Sequence, residues 1–505
     1  MFPVIGASLH GVDGVAVEVE VRVSSSLPRV DIVGLPEAAV RESIARVRAA
    51  LTALGEPFPD GRITVNLAPA ALRKSGAGLD LPIAVGILAA AGRVGADRLA
   101  GLALIGELAL DGRLRRVRGA LALVLAARDA GCRRVVVPAA NGPEAALAPG
   151  LEVRTAADLG ALLAHLRQGD PLPEPAPPDL GDAREAGPDL EDVRGQEAAK
   201  RALEVAAAGG HALLLRGPPG AGKTMLARRL PGLLPPPDRE EALEATRVHG
   251  AAGRLDDACP LLVERPFRAP HHSASAAGLL GGGSPPRPGE VSLAHTGVLF
   301  LDELPEFERR ALEGLRQVLE DRRVVVARAH ATCIFPARFQ LVAAANPCPC
   351  GWLLSRVRDC RCDDAAVARY RTRLSGPLTD RIDLHVEVSA LRWKDLDAAA
   401  SGPGSAEVRK RVCAARALQQ RRLARLGARS NAEIPDAALD ELVAATPDAR
   451  ALLGRAVDRL GLSARGARRV LRVARTVADL AGERRVDRGA LAEALAYRDE
   501  AGRDA

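Results

Sequence analysis

The sequence predicts an α/β nucleotide-binding core, set between an N-terminal mixed α/β domain and a C-terminal helical domain. Three observations carry this. The apolar run His211-Ala-Leu-Leu-Leu leads directly into GPPGAGKT at 217–224, the pattern of a strand entering a phosphate-binding loop and then a helix. A second apolar run, Gly297-Val-Leu-Phe-Leu, delivers Asp302 and Glu303 at its end. Strand-like and helix-like segments alternate before residue 166, whereas the chain after residue 391 is rich in Ala, Leu and Arg with helical periodicity.

In the first block, residues 1–166, Val15-Ala-Val-Glu-Val-Glu-Val-Arg-Val alternates with period two and reads as a half-buried strand. Val40 to Leu54 has helical spacing, and Arg62-Ile-Thr-Val-Asn-Leu is strand-like. Leu81 to Ala91 reads as a buried helix, and Arg134-Val-Val-Val as a late strand. Residues 167–188 follow, and PLPEPAPP at 171–178 favours extended polyproline II, so this segment reads as a linker that packs no core. The nucleotide-binding block is expected over 189–390 and the helical block over 391–505.

Within the core, Gly217, Pro218, Pro219, Gly220, Ala221 and Gly222 form a loop whose backbone N–H groups are suited to phosphate oxygens. Lys223 is placed for the β- and γ-phosphates and Thr224 for magnesium, so ATP and Mg2+ are the expected cofactors. A strand end at Asp302 and Glu303 lies where parallel α/β sheets bind ligands. Asp302 is then a magnesium ligand, directly or through water, and Glu303 orients the attacking water. Phe339-Gln-Leu-Val-Ala-Ala-Ala-Asn346 is another buried strand ending in an amide, able to reach the γ-phosphate or the water; the alternative is a turn residue. Arg381, in Leu374-Ser-Gly-Pro-Leu-Thr-Asp-Arg-Ile-Asp, suits a γ-phosphate contact supplied across subunits; a surface salt bridge to Asp380 or Asp383 is the equal alternative.

Four cysteines, Cys348, Cys350, Cys360 and Cys362, form C-x-C-x9-C-x-C, and four thiolates suit a closed tetrahedral zinc site, with free thiols as the alternative. Chain length and the scatter of the other four cysteines argue against a disulfide framework. The N-terminus has no basic segment leading into an apolar core, and Leu81 to Gly92 is too short to span a bilayer, so a cytoplasmic protein without membrane contact is expected. A net charge of +7 fits a polyanionic partner.

The motifs together resemble AAA+ ATPases of the magnesium-chelatase-like branch, and more closely the ComM/YifB family. LPRVDIVGLPEAAVRES (27–43), RITVNLAPA (62–70), LDLPIAVGILAA (79–90), RPFRAPHHSAS (265–275), NPCPCG (346–351) and DRIDLHVEV (380–388) carry the resemblance through most of the chain. Thr379 departs from the leucine more usual there. The implied architecture is an AAA+ P-loop core with a C-terminal helical lid, preceded by a Lon-protease-like, ribosomal S5-like α+β domain. The resemblance implies a homo-hexameric ring, with Asn346 as sensor 1 and Arg381 as the arginine finger in trans. In the lid, Ser463-Ala-Arg-Gly-Ala-Arg-Arg-Val-Leu-Arg resembles the sensor-2 helix, with Arg472 favoured for the γ-phosphate and Arg465 as the alternative.

Aligned with the Lon protease domain, Asp80 stands at the nucleophile position and Leu121 near the lysine position, so no peptidase activity is expected. Ser75 lies nearby but outside the helix start. DNA contacts are expected at two places. One is the segment from Arg265 to Glu290, resembling the helix-2 insertion, with Arg268, His271 and His272; a capped turn or packing pair is the alternative for the histidines. The other is the hairpin around Arg328 and His330, resembling the presensor-1 hairpin. Arg409 to Arg429, with eight basic residues and no acids, reads as a solvated face rather than a nucleic-acid surface. The ComM resemblance implies an ATP-driven DNA helicase or branch-migration motor in natural transformation and homologous recombination, acting on branched or single-stranded DNA. A metal-insertion ATPase like magnesium chelatase and an ATP-dependent unfoldase or protease component are the alternatives.

Overall fold

The structure, a computed structural model, describes residues 3–178, 187–256, 259–328, 331–353, 355, 358–373, 376–391 and 402–498. The N-terminal part is built on a seven-stranded sheet. Its strands are β1 (Val4–His10), β2 (Asp13–Ser24), β3 (Arg29–Val33), β4 (Arg62–Ala68), β5 (Leu102–Leu104), β6 (Arg134–Pro138) and β7 (Glu152–Ala156). They lie in the order β3-β4-β2-β1-β5-β6-β7. The hairpin β1–β2 and the β2–β4 pair are antiparallel, while β5, β6 and β7 run parallel. The period-two alternation in β2 puts Val17, Val19 and Val21 into the core.

Helices α1 (Ser43–Ala53), α2 (Asp80–Ala90) and α4 (Leu159–Gln168) pack into one apolar cluster, and α3 (Ala120–Asp129) into another. The expected linker begins differently. Leu172 is buried in the first cluster and Thr155 N–H donates to Pro173 O at 2.9 Å. The prolines there extend the chain alongside β7, and their missing N–H groups cost nothing where only a carbonyl is used. Residues 179–186 lie outside the described residues.

The central part is a five-stranded, wholly parallel sheet of β9 (Phe267–Arg268), β12 (Val298–Leu301), β15 (Gln340–Ala345), β8 (Leu213–Arg216) and β16 (Leu384–Glu387), in that spatial order. Helices α5 (Glu197–Gly209), α6 (Lys223–Leu233), α7 (Arg239–Ala252) and α8 (Arg309–Asp321) accompany it. Two small hairpins project from this core: β10 (Gly281–Gly282) with β11 (Arg287–Pro288), and β13 (Arg323–Arg328) with β14 (Ala331–Pro336). α9 (Asp364–Arg373) precedes β16.

The C-terminal part is helical: α10 (Ser405–Leu423), α11 (Pro447–Leu460), α12 (Ala464–Leu480) and α13 (Arg488–Ala496), which share one core cluster with α5, α6 and one face of the parallel sheet. The basic run 409–429 is not a uniformly solvated face. Arg411 pairs with Glu204 at 2.5 Å, Arg416 donates to Ala207 O, Arg422 pairs with Asp479, and Arg429 pairs with Glu241. The acids that neutralise this run lie far away in sequence.

The N-terminal part packs on the core. Ala242 of α7 and Leu261 join the α3 cluster, and Val12, in the β1–β2 turn, joins Cys333 and Phe335 under the β13–β14 hairpin. His10 Nε2 lies 3.2 Å from Thr332 O, and Arg247 pairs with Asp13 at 3.4 Å. Among the described residues no helix is long and apolar enough to cross a membrane.

Candidate active site

Strand β8 sits inside the sheet with Arg216 opposite Ala345 on one side and Glu387 on the other. The loop leaving it is forced close to its neighbour, since a Cβ on Gly217 would lie 2.1 Å from Val388 O. Gly220 and Gly222 have φ of 76° and 92°, the left-handed region where glycine carries no Cβ penalty. α6 then starts at Lys223, so its free N–H groups and dipole face the loop. Lys223 is buried and its Nζ donates to Gly217 O at 2.7 Å, Pro218 O at 2.9 Å and Asn346 Oδ1 at 3.1 Å. Burial lowers its pKa, opposed by the charges of Asp302 and Glu303.

Thr224 Oγ1 donates to Asp302 Oδ2 at 2.7 Å, which sets two hard oxygen donors side by side, the kind of group magnesium takes. Asp302 Oδ1 accepts the Glu303 N–H at 2.9 Å. Glu303 has φ of 52°, a strained conformation for a residue with a Cβ. Its carboxylate meets His272 Nδ1 at 3.0 Å, and the His272 ring lies 4.1 Å from that of His271. The ends of β8, β12 and β15 thus bring together Lys223, Thr224, Asp302, Glu303 and Asn346.

The other expected residues fall elsewhere. Arg268 lies in edge strand β9 and is held in a two-point pair with Glu290 at 2.7 and 3.0 Å. His272 faces Glu303 in the nucleotide site. β9 is a core strand, and its exit brings His272 alongside β12. His271 is exposed, with Nδ1 2.8 Å from Ser273 Oγ. Arg328 ends β13, exposed, and His330 lies outside the described residues. Arg328 Nη2 comes within 3.5 Å of the Cβ position of Gly282, so the two hairpins stand side by side. Arg287 on the neighbouring hairpin is exposed too. Sequence reasoning missed it; the signal was its place beside the Gly-Gly-Gly-Ser-Pro-Pro turn.

Arg381 is buried and pairs with Glu320. Arg472 donates to Ile434 O at 2.8 Å and pairs with Asp436 at 2.6 Å, both within the lid, and no phosphate-loop atom is among its hydrogen-bond partners. In this structure the arginine braces the lid. Arg465 is exposed on the first turn of α12. On the same helix Arg469 reaches the core, donating to Arg381 O at 2.6 Å and Asp383 Oδ1 at 2.7 Å. Asp383 also meets His211 Nδ1 at 3.2 Å, and His211 Nε2 lies 2.8 Å from Thr476 Oγ1 on α12. Burial alone would raise the Asp383 carboxyl; the hydrogen bond from His211 and the neighbouring His211 and Arg469 charges hold it well below the usual carboxylate range.

Asp80, at the start of α2, is fully buried. It accepts from Ser43 Oγ, from Arg46 Nε at 2.6 Å and from Leu108 N–H at 3.1 Å, so its charge is a packing element. Leu121 is buried in the core, and Ser75 Oγ donates to Leu9 O at 3.1 Å.

The four sulfurs of Cys348, Cys350, Cys360 and Cys362 lie within 4.8 Å of one another. Cys348 to Cys350 is 3.4 Å, Cys350 to Cys360 3.6 Å and Cys348 to Cys360 3.7 Å. A tetrahedral zinc with Zn–S of about 2.3 Å requires S–S separations of about 3.8 Å. The donor set and spacing fit that ion.

Sequence comparison adds the following. The family described as magnesium chelatase, subunit ChlI, matches residues 189–396, its C-terminal counterpart matches 402–498, and a further subunit ChlI description matches 19–141. An uncharacterized protein of Mycobacterium tuberculosis is 47% identical over 98% of both chains. The uncharacterized protein YifB of Escherichia coli and competence protein ComM of Haemophilus influenzae are each 44% identical, covering 97% of this chain and 95% of theirs.

Proposed function

Since the chain belongs to the ComM/YifB family of magnesium-chelatase-like proteins, we propose that it is an AAA+ ATPase that drives DNA. In this reading six copies form a ring in the cytoplasm and move branched or single-stranded DNA by branch migration, in natural transformation and homologous recombination. The observation that carries the ATPase part is the meeting of Lys223, Thr224, Asp302, Glu303 and Asn346 at the ends of three adjacent parallel strands.

Phosphate oxygens of ATP replace the two loop carbonyls now held by Lys223, and the loop N–H groups close on them. Thr224 and Asp302 would hold magnesium, which supplies charge neutralisation at the β- and γ-phosphates. Glu303 turns from His272 towards the attacking water and takes its proton, while Asn346 holds that water or the γ-phosphate. Arg381 from a neighbouring copy leaves Glu320 to meet the developing charge. DNA phosphates meet Arg328 and Arg287 on the paired hairpins. Asp80 and Leu121 make the N-terminal part a scaffold without peptidase activity. Cys348, Cys350, Cys360 and Cys362 would hold structural zinc.

ATP hydrolysis measured with and without forked and four-way DNA at low salt tests the reading. A DNA motor is stimulated by these substrates. A metal-insertion ATPase, the second reading favoured by the chelatase family match, hydrolyses ATP at one rate whether DNA is present or not.

A further inference from the structure

The loop that carries the four cysteines is wrapped around the nucleotide site. It starts at Asn346, whose amide oxygen accepts from Lys223, and Cys348 follows two residues later, fully buried. The chain then doubles back: Gly351 N–H donates to Cys348 O at 3.0 Å, and Leu353 N–H points at Cys348 Sγ at 3.4 Å. That turn presses Gly351 onto the phosphate loop. A Cβ there would lie 2.5 Å from Pro219 Cδ and 3.8 Å from the Asn346 amide carbon, and φ is +82°. Beyond Cys362, α9 returns to the far lip. The buried Tyr370 lies on this helix, and Arg373 pairs with Glu306, just past Glu303, at 3.1 Å. Between Asn346 and Asp363 the described residues form no helix or strand. Cys350, Cys360 and Cys362 draw the two ends of this irregular strap to Cys348.

We infer that the four-thiolate centre is a zinc-dependent clamp on the ATP site, which seats Gly351 on Pro219 and holds Asn346 against Lys223, so that nucleotide affinity depends on the bound metal. The inference rests on the zinc reading above and adds a consequence for ATP. Zinc binding ties four points of the strap together in the folded state. Its loss frees Gly351 to lift from the phosphate loop and Asn346 to leave Lys223, and a preformed phosphate cradle becomes one that ATP must order at its own cost.

The experiment uses the full chain, kept reduced, with zinc counted by mass spectrometry and affinity read with a fluorescent mant-ATP. Stripping the metal with a chelator weakens mant-ATP binding by about tenfold or more, and Zn2+ in the presence of constant Mg2+ restores it. Gly351→Ala keeps every thiol; it retains zinc and weakens mant-ATP binding in the same direction. The inference is overturned if the protein carries zinc and the stripped protein binds mant-ATP within about twofold of the untreated chain; Gly351→Ala binding within the same twofold overturns the seating of Gly351 on Pro219 as its route. Protein that holds no zinc as purified and takes up none overturns the zinc reading itself, and the clamp with it. A Cys348→Ser, Cys360→Ser variant that melts with the whole molecule leaves Gly351→Ala to decide.

Discussion

At the residue scale the nucleotide site divides into binding and chemistry. Lys223→Ala removes the buried ammonium that would face the phosphates, and ATP binding falls below detection in a mant-ATP titration. Glu303→Gln keeps size and loses the proton acceptor, so the variant binds ATP and does not turn it over, as quench-flow hydrolysis would register. Normal turnover by Glu303→Gln would place the base elsewhere. His272 acts through Glu303. With His272→Ala the carboxylate loses its 3.0 Å partner, so turnover falls while mant-ATP affinity stays near that of the parent. Unchanged turnover would make His272 a packing residue only. The phosphate-loop and magnesium-strand residues were legible because each motif is contiguous and its chemistry lies in the residue types. The pairing of His272 with Glu303 was not, because it depends on β9 lying next to β12, which no local pattern of the two segments states.

At the element scale the lid is latched to the core by buried polar groups rather than by apolar contact alone. Arg469, Asp383, His211 and Thr476 connect α12 to the starts of β8 and β16. His385, in β16, is half-buried, and its desolvation together with Arg498 and Arg216 holds its imidazole down to about 3. An unfolded chain takes up that proton near pH 6.5, so the unfolded state binds more protons between about 6.5 and about 3. Stability therefore falls as pH drops through this window, on the order of several kcal/mol for this group alone, and is flat above it. His385→Gln shallows the fall in a pH series of thermal melts; an unchanged series would assign the acid loss to other groups. The roles of the α12 arginines in this latch are not legible from spacing. Helical spacing puts Arg465, Arg468, Arg469 and Arg472 on neighbouring turns of α12, and only the packed structure shows that Arg469 faces the core while Arg472 faces Ile434 and Asp436. The basic run before it likewise gave no sign that Glu204, Asp479 and Glu241 wait opposite.

The two hairpins are read at this scale too. If Arg328 and Arg287 meet phosphates, DNA binding is largely independent of sequence, since the chain has only seven Phe, two Tyr and two Trp to stack on bases. Log affinity falls with log salt by roughly 0.7 to 0.9 per phosphate neutralised. Replacing both arginines by alanine flattens that slope by about two such increments and leaves mant-ATP binding intact. An unaltered slope would move the DNA path away from these hairpins.

At the scale of the whole molecule, the sheet of the nucleotide core, the mixed N-terminal sheet and the helical C-terminal part were all visible as blocks in the sequence. Their mutual packing was not: Val12 of the β1–β2 turn is buried beneath the β13–β14 hairpin, a contact between segments more than three hundred residues apart. In the proposed ring, a neighbouring copy supplies the arginine. Arg381→Ala alone loses turnover by about a thousandfold. Mixed with Glu303→Gln subunits it regains part of it, because sites that take Glu303 from one subunit and Arg381 from the next are complete. Failure of every mixture to exceed its components would keep Arg381 with Glu320 in a structural role.

The central claim, that ATP turnover at this site moves DNA, is tested most directly with a labelled four-way junction incubated with the protein and ATP, and followed as it resolves into duplex products. The account predicts ATP-dependent resolution by the parent chain and none by Glu303→Gln, although that variant still binds both ATP and the junction. Vigorous ATP hydrolysis with the junction left intact, or resolution that persists in Glu303→Gln, would contradict it.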